Sequence, residues 1–176
     1  MTLDELIMTR VSHDLAGIIG ALYNTAELLE IDPAFATESG SIIKTSTGTL
    51  MARLKFFRAI FGTDGAPLNT QIVQEYLNTL SAAFTLNGTI DTRRQAVAVL
   101  ICADTMIRGG KIDLTNHSVT GIGQIKIDEA FHLALSGTLD SIPPKLAPVA
   151  WLVNHNKIHH LSISADIDTD CITLCF

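Results

Sequence analysis

Val11-Ser12-His13-Asp14-Leu15 lies inside an apolar-periodic segment that runs from Leu3 to Leu29, and the reading of that segment decides the first part of the fold. Ile7, Val11, Ile18, Leu22 and Leu29 step by four, seven, four and seven, which is the spacing of one helical face. At ~100° per residue, His13 falls opposite that stripe. Thr9, Arg10, Ala16, Gly17, Gly20, Asn24 and Glu27 share its side, and most of them are small or polar. A glycine inside a helix costs roughly 0.5–1 kcal/mol relative to alanine. Gly17 and Gly20 therefore leave bare helix surface beside the imidazole, on which another protein could come close.

Working outward, this helix should span about residues 2 to 31. Thr2 and Glu5 have capping-box spacing, and Asp32-Pro33 ends the run. A second helix should fill roughly 35 to 62, where Ile43, Leu50, Leu54, Phe57 and Phe61 recur in a heptad-like stripe. The two helices pair naturally as an antiparallel hairpin. Two helices alone cannot bury two such faces, so a second copy completing a four-helix bundle is expected, making the chain a homodimer.

Gly62-Thr63-Asp64-Gly65-Ala66-Pro67 is the clearest linker. It divides a helical domain, residues 1–64, from a mixed domain, residues 65–176. In the second domain Thr70 to Phe84 reads as a helix, Asn87-Gly88 as a turn and Thr89 to Thr92 as a short strand. Arg94 to Ile107 reads as a nearly all-apolar buried helix closed by Gly109-Gly110. Lys111 to Thr115 and His117 to Asp128 read as strands, Glu129 to Leu135 as a short helix, and Leu146 to Asn154 as a helix carrying Trp151. Leu161 to Ala165 and Cys171 to Phe176 read as a closing hairpin around Asp166 to Asp170. The fold class is α+β.

Composition narrows the function classes. The chain has 176 residues, 47% of them hydrophobic, and a formal net charge of -6. That charge argues against a nucleic-acid partner. No apolar run approaches the roughly 20 residues needed to span a bilayer, and the N-terminal residues lack a secretory pattern, so no membrane role and a cytoplasmic location are expected. Cys102, Cys171 and Cys175 sit in apolar stretches and read as buried reduced thiols.

Ser12-His13-Asp14-Leu15 at the start of an amphipathic helix resembles the phosphoacceptor box of two-component histidine kinases. The longer run Arg10-Val11-Ser12-His13-Asp14-Leu15, then Gly20-Ala21, Asn24 and Glu27-Leu28-Leu29, resembles the ChpT-type histidine phosphotransferases, stand-alone bacterial phosphorelay proteins. Where that family carries a polar residue and a proline after His-Asp-Leu, this chain has Gly17 and Ile18. The order helix, Gly-Gly, two strands, helix, two strands is that of a shortened kinase ATP-binding domain, an α/β sandwich, which in this family is degenerate. The resemblance thus covers essentially the whole chain.

It implies a relay through His13. His13 takes a phosphoryl group from the aspartate of one receiver domain and passes it to the aspartate of a second, the partners being the receivers of a hybrid histidine kinase and of response regulators. The receiver supplies magnesium, and the His protein supplies positioning. Asp14 is the next catalytic candidate, holding the ring or taking its proton, although adjacent helix residues do not face each other directly. Ser12, Arg10, Gly17 and Asn24 would shape the docking surface. Arg53 and Arg58, beside Lys55, either flank the bundle to meet an acidic partner or form a solvated face.

Neither a cofactor nor a metal is expected. ATP-binding kinases of this kind need an Asn on the helix before the Gly-Gly, and Val97 to Met106 has none; Asp104 is its only acid. Thr120-Gly121-Ile122-Gly123 lacks the adenine-binding Asp, since Val119 and Thr120 precede Gly121, and reads as a bulge or kink in a strand. His155, His159 and His160 lie near Cys171 and Cys175 in sequence, but the turns between ligand pairs that zinc sites use are absent. The reading from another class is a non-catalytic dimeric adaptor that binds a signalling partner through the same helices.

Overall fold

The computed structural model describes residues 1–31, 33–159 and 164–176. Helix α1, Leu3–Ile31, is a single unbroken helix. Its start is fixed as the sequence indicates: Thr2 N–H donates to Glu5 Oε2 at 2.7 Å, and Glu5 N–H donates to Thr2 Oγ1 at 3.2 Å. A single 3-10 turn, Pro33–Phe35, leads into α2, Ala36–Phe61. Helix α1 packs on α2, and Ile7, Val11, Ile18, Leu22 and Leu29, the expected stripe, are all half-buried, Ile7 against the Leu6–Ala147–Ala150 cluster.

The mixed domain follows as α3 (Thr70–Leu77), β1 (Phe84–Asn87), α4 (Arg93–Thr105), β2 (Gly110–Leu114), β3 (Ser118–Ile122), α5 (Glu129–Ser136), α6 (Ala147–Ile158), β4 (Ser164–Ile167) and β5 (Cys171–Cys175). The five strands form one sheet in the order β1-β2-β3-β5-β4. Only β1 and β2 pair in parallel; the other neighbours are antiparallel. One sheet face buries Ile112, Val119, Ile172 and Leu174 against α4. The other is half-exposed and polar, with Thr120 and Thr173 joined hydroxyl to hydroxyl at 3.1 Å. The α+β class read from the sequence is therefore observed.

Several boundaries differ from the reading, each for a local reason. Helix α3 stops at Leu77, because Thr79 N–H turns back onto Tyr76 O at 2.9 Å and its hydroxyl onto the same oxygen at 2.7 Å. The strand expected at Thr89 to Thr92 lies instead before the Gly88 turn, where Phe84 and Leu86 alternate inward. Residues 91 and 92 serve α4: both their N–H groups donate to Gln95 Oε1, and Thr92 Oγ1 accepts from Gln95 N–H, a complete capping box. The strand read over His117 to Asp128 is only five residues long. It ends because Gly123 approaches the backbone of Gly109 too closely for a side chain, and Lys126 N–H then turns to Thr105 O at 2.8 Å. Helix α6 runs four residues further than read, to Ile158. The closing hairpin is present with its turn at Asp168 to Asp170; Leu161 to Ile163, read as strand, lie outside the described residues. Of the three free cysteines only Cys102 is fully buried; Cys171 and Cys175 are half-buried.

The core is continuous across the linker. Phe56, Phe57 and Ile60 of α2 pack with Val73, Tyr76, Leu77 and Ile101, and Phe56 stacks on Tyr76 with ring centroids 4.1 Å apart. Leu6 of α1 packs against Ala147 and Ala150 of α6. The base of the hairpin is thus clamped between the sheet domain's helices. Its distal part is not: from Ala16 to Leu50, only Thr25 and Ser39 are buried among the described residues.

Candidate functional site

His13 lies where α1 leaves the sheet domain, and 86% of its side chain is exposed. The helix geometry forces this, because the stripe that meets α2 is on the opposite side. Asp14, the next residue, is turned inward with 14% of its side chain exposed. Its carboxylate is shared. Oδ2 accepts from Arg10 Nε at 2.8 Å, and Oδ1 lies 3.6 Å from His13 Nδ1, an electrostatic contact too long for a hydrogen bond. The contact is made through Nδ1, so Nε2 is the ring nitrogen that does not face Asp14.

Arg10 and Arg53, expected at a docking surface, instead spend their guanidinium groups inside the chain. Arg10 Nη2 donates to Asp104 Oδ1 at 2.9 Å and Nη1 to the Lys145 carbonyl at 3.2 Å. Only 13% of the Arg10 side chain is exposed. Burial works against its charge, but the carboxylates of Asp104 and Asp14 outweigh that, and its pKa is raised above the usual arginine value. Arg53 donates from Nη1 to the Asp14 carbonyl at 3.0 Å, and from Nε and Nη2 to the hydroxyl and carbonyl of Thr79 at 3.1 and 3.2 Å. Both arginines tie the helix around His13 to the sheet domain. Arg58, by contrast, is 67% exposed and paired with Asp64 at 2.6 Å. It lines a shallow groove with Met8, Val11 and Leu54. Lys55 faces Glu75 at 3.8 Å.

Asp104 and Thr79 are the partners that sequence reasoning missed. Asp104 did carry a signal, as the only acid in an otherwise apolar helix. Its side chain is 28% exposed, yet the protein packed around it pushes its pKa up to about 6, against the pull of Arg10. Thr79 lies in the turn that ends α3 at Leu77, and apolar periodicity, which continues past that turn, gives no sign of it.

Ser12, Gly17 and Asn24 are exposed on α1. A Cβ added at Gly17 or Gly20 would meet nothing within 4 Å, and the same holds for Gly40 and Gly48 of α2. Among the described residues, no neighbouring atom requires these glycines.

The glycines of the sheet domain have internal reasons. Gly121 pairs with Ile112 and Ile172, and a Cβ there would meet Cys102 Cβ at 3.0 Å. Its lack of a side chain lets α4 lie close on the sheet. Val119, where an adenine-binding acid would stand, is fully buried. Beside the Arg10–Asp104 pair, a cavity of about 270 Å³ is floored by Ile101, Phe131 and Val149, with Lys126 and a Lys145–Asp128 pair at its rim. His155 stacks on Trp151 with centroids 4.7 Å apart and lies against His159. His160 is outside the described residues. Among the described residues no three His, Cys, Asp or Glu side chains gather in a metal-holding group, and no helix is long and apolar enough to cross a membrane.

No protein-family model matches the chain. It is 26% identical over 152 residues to the protein phosphotransferase ChpT of Brucella abortus (strain 2308), an alignment that covers 82% of this chain and 72% of that protein. A solved structure described as a bacterial phosphotransferase superposes on it with a TM-score of 0.80 at 23% identity, covering 98% of this chain and 94% of the other. The resemblance to the ChpT-type family, read from the residues around His13 and from the order of elements, is borne out.

Proposed function

We propose that this chain is a histidine phosphotransferase of a bacterial phosphorelay. His13 accepts a phosphoryl group from the aspartyl phosphate of one receiver domain and passes it to the aspartate of another. The observation that carries the reading is the pairing at the site: an imidazole almost wholly in solvent beside a carboxylate almost wholly out of it. Neutral imidazole is a competent nucleophile near pH 7, and a receiver can reach an exposed ring on a helix with bare glycine surface beside it. The similarity to a named phosphotransferase supports the same reaction class.

Positioning is the chain's contribution, and the receiver brings magnesium and its own cation to the moving charge. ATP is not the donor in this reading. Helix α4 carries no Asn of the kind such kinases need, Val119 stands where the adenine-binding acid would be, and Asp104 is engaged by Arg10.

The docking surface is Ser12, Gly17 and Asn24 along α1, with Arg58 lower on the hairpin. A second copy covers the distal hairpin, completing a four-helix bundle. Ile19, Tyr23 and Leu28 of α1 and Ile42 of α2 on the distal hairpin, with Met51 and Leu54 just below it, are each at least 40% exposed, an apolar surface that a stable monomer rarely leaves in water.

The test is a transfer screen. The purified chain is mixed with host receiver domains charged on their aspartates, in the absence of ATP. We expect one or more to hand label to the parent and none to His13→Ala. A parent that takes no label from any receiver would leave the adaptor reading in its place.

A further inference from the structure

Stability does not explain the Asp14–Arg10–Asp104 triad. Its three side chains are 14%, 13% and 28% exposed and are joined at 2.8 and 2.9 Å. Desolvating such groups costs several kcal/mol per ion, and buried ion groups are often no more stable than apolar residues of the same volume. What the triad fixes is direction. A guanidinium is planar with a rigid fork of donors. Asp104 Oδ1 on Nη2 and the Lys145 carbonyl on Nη1 therefore set where Nε points. Nε holds Asp14 Oδ2, which leaves Oδ1 toward His13 Nδ1. The backbone of Asp14 is pinned separately by Arg53.

We infer that Asp104, on α4 of the sheet domain, is a positioning residue for phosphoryl transfer at His13, acting through Arg10 on the orientation of Asp14. The inference rests on the transfer reading above. In the acceptor step an N–P bond forms at Nε2 as the P–O bond to the receiver's aspartate breaks, and the electron pair leaves with that carboxylate. The ring keeps its proton on Nδ1 and becomes cationic. Asp14 Oδ1 faces that nitrogen, so its charge opposes the developing positive charge. Transfer onward breaks the N–P bond and restores the neutral ring. Asp104 meets Arg10 and not the ring, and the sheet domain becomes the anchor of the reacting helix. Arg10, placed at the docking surface by the sequence, belongs to this machinery.

The experiment compares Asp104→Ala, Asp104→Asn and His13→Ala with the parent, using full-length protein and a receiver that charges the parent. Circular dichroism confirms folding. Misplacing a reacting group by an ångström can cost on the order of a hundredfold. We expect Asp104→Ala to lower the maximal transfer rate about ten- to a hundredfold while the receiver KM stays within about twofold. Asp104→Asn keeps an acceptor for Arg10 and should recover much of the rate. Should Asp104→Ala not fold, the Asn variant and Arg10→Lys, which loses the fork, carry the comparison, with the same fall expected for Arg10→Lys. A parental rate in the folded variants with His13→Ala inactive would overturn the positioning role alone. A change confined to KM would overturn it also. Label on His13→Ala would overturn the transfer reading beneath it.

Discussion

At the scale of the residue, the site works by contrast: the ring is given to solvent and the acid behind it is withdrawn. The chain of contacts behind Asp14 can be observed directly. Packing around Asp104 raises its pKa to about 6, and Arg10 acts in the opposite sense. A carboxyl titration by NMR should find the Asp104 midpoint near that value, and Arg10→Gln should move it higher still. A midpoint near 4, the ordinary aspartate value, would show that its surroundings do not exclude water as described. The linkage has a definite sign. With the folded pKa above the unfolded one, the folded chain holds an extra proton between about pH 4 and 6, so this group's contribution to stability declines as pH rises through that window. Asp104→Asn cannot titrate, and its Tm relative to the parent should therefore increase from pH 4 to 7. His13 and Asp14 were legible because neighbouring letters form a compact pattern. The role of Arg10 was only half legible: its four-residue spacing to Asp14 could be read on a helix, but Asp104 lies 94 positions away, and only the packing of α1 on α6, which in turn packs on α4, brings it there.

At the scale of the element, the α1 surface around His13 trades helix stability for access. Gly17 lies one turn from His13 with open space where a side chain would go. Gly17→Ala should stabilise the hairpin by roughly 0.5–1 kcal/mol and at the same time weaken receiver docking, seen as a raised KM. Thermal melts and transfer kinetics on the same preparation check both. Unchanged kinetics would mean that partners dock elsewhere. Helices with strong periodicity, α1, α2 and α4, were readable from sequence to within a residue or two. The stretch from Leu77 to Thr92 was not. The Asn87-Gly88 turn lies where the dipeptide puts it, but the end of the helix and the place of the strand do not follow from local sequence, because parallel pairing to Gly110–Asp113 decides where β1 lies. The capping spacing of Thr92 and Gln95 was present in the sequence and outweighs the β-branched letters around it.

At the scale of the whole molecule, one half of the hairpin belongs to the sheet domain and the other stands clear of it. Phe57 was expected on the exposed stripe with Leu54. It is 4% exposed and lies in the main core, whereas Leu54 is 42% exposed. Heptad spacing cannot tell these fates apart, because the stripe of α2 passes from one environment to the other along its length. The dimer test therefore falls on Leu54 alone. Burying one such side chain contributes roughly 1.5–3 kcal/mol, and several per chain can outweigh an association cost of roughly 4–15 kcal/mol. Leu54→Glu should yield a folded monomer by light scattering where the parent is a dimer. A parent that is monomeric at micromolar concentration, or a variant that stays dimeric, contradicts the bundle.

The most direct test of the central claim is to locate the phosphate. The chain is incubated with a charged receiver domain and no ATP, and the product is fragmented under alkaline conditions and analysed by mass spectrometry. We expect one acid-labile phosphate, on His13, that disappears when an uncharged receiver is added. Phosphate on any other residue, or none without ATP, would contradict it.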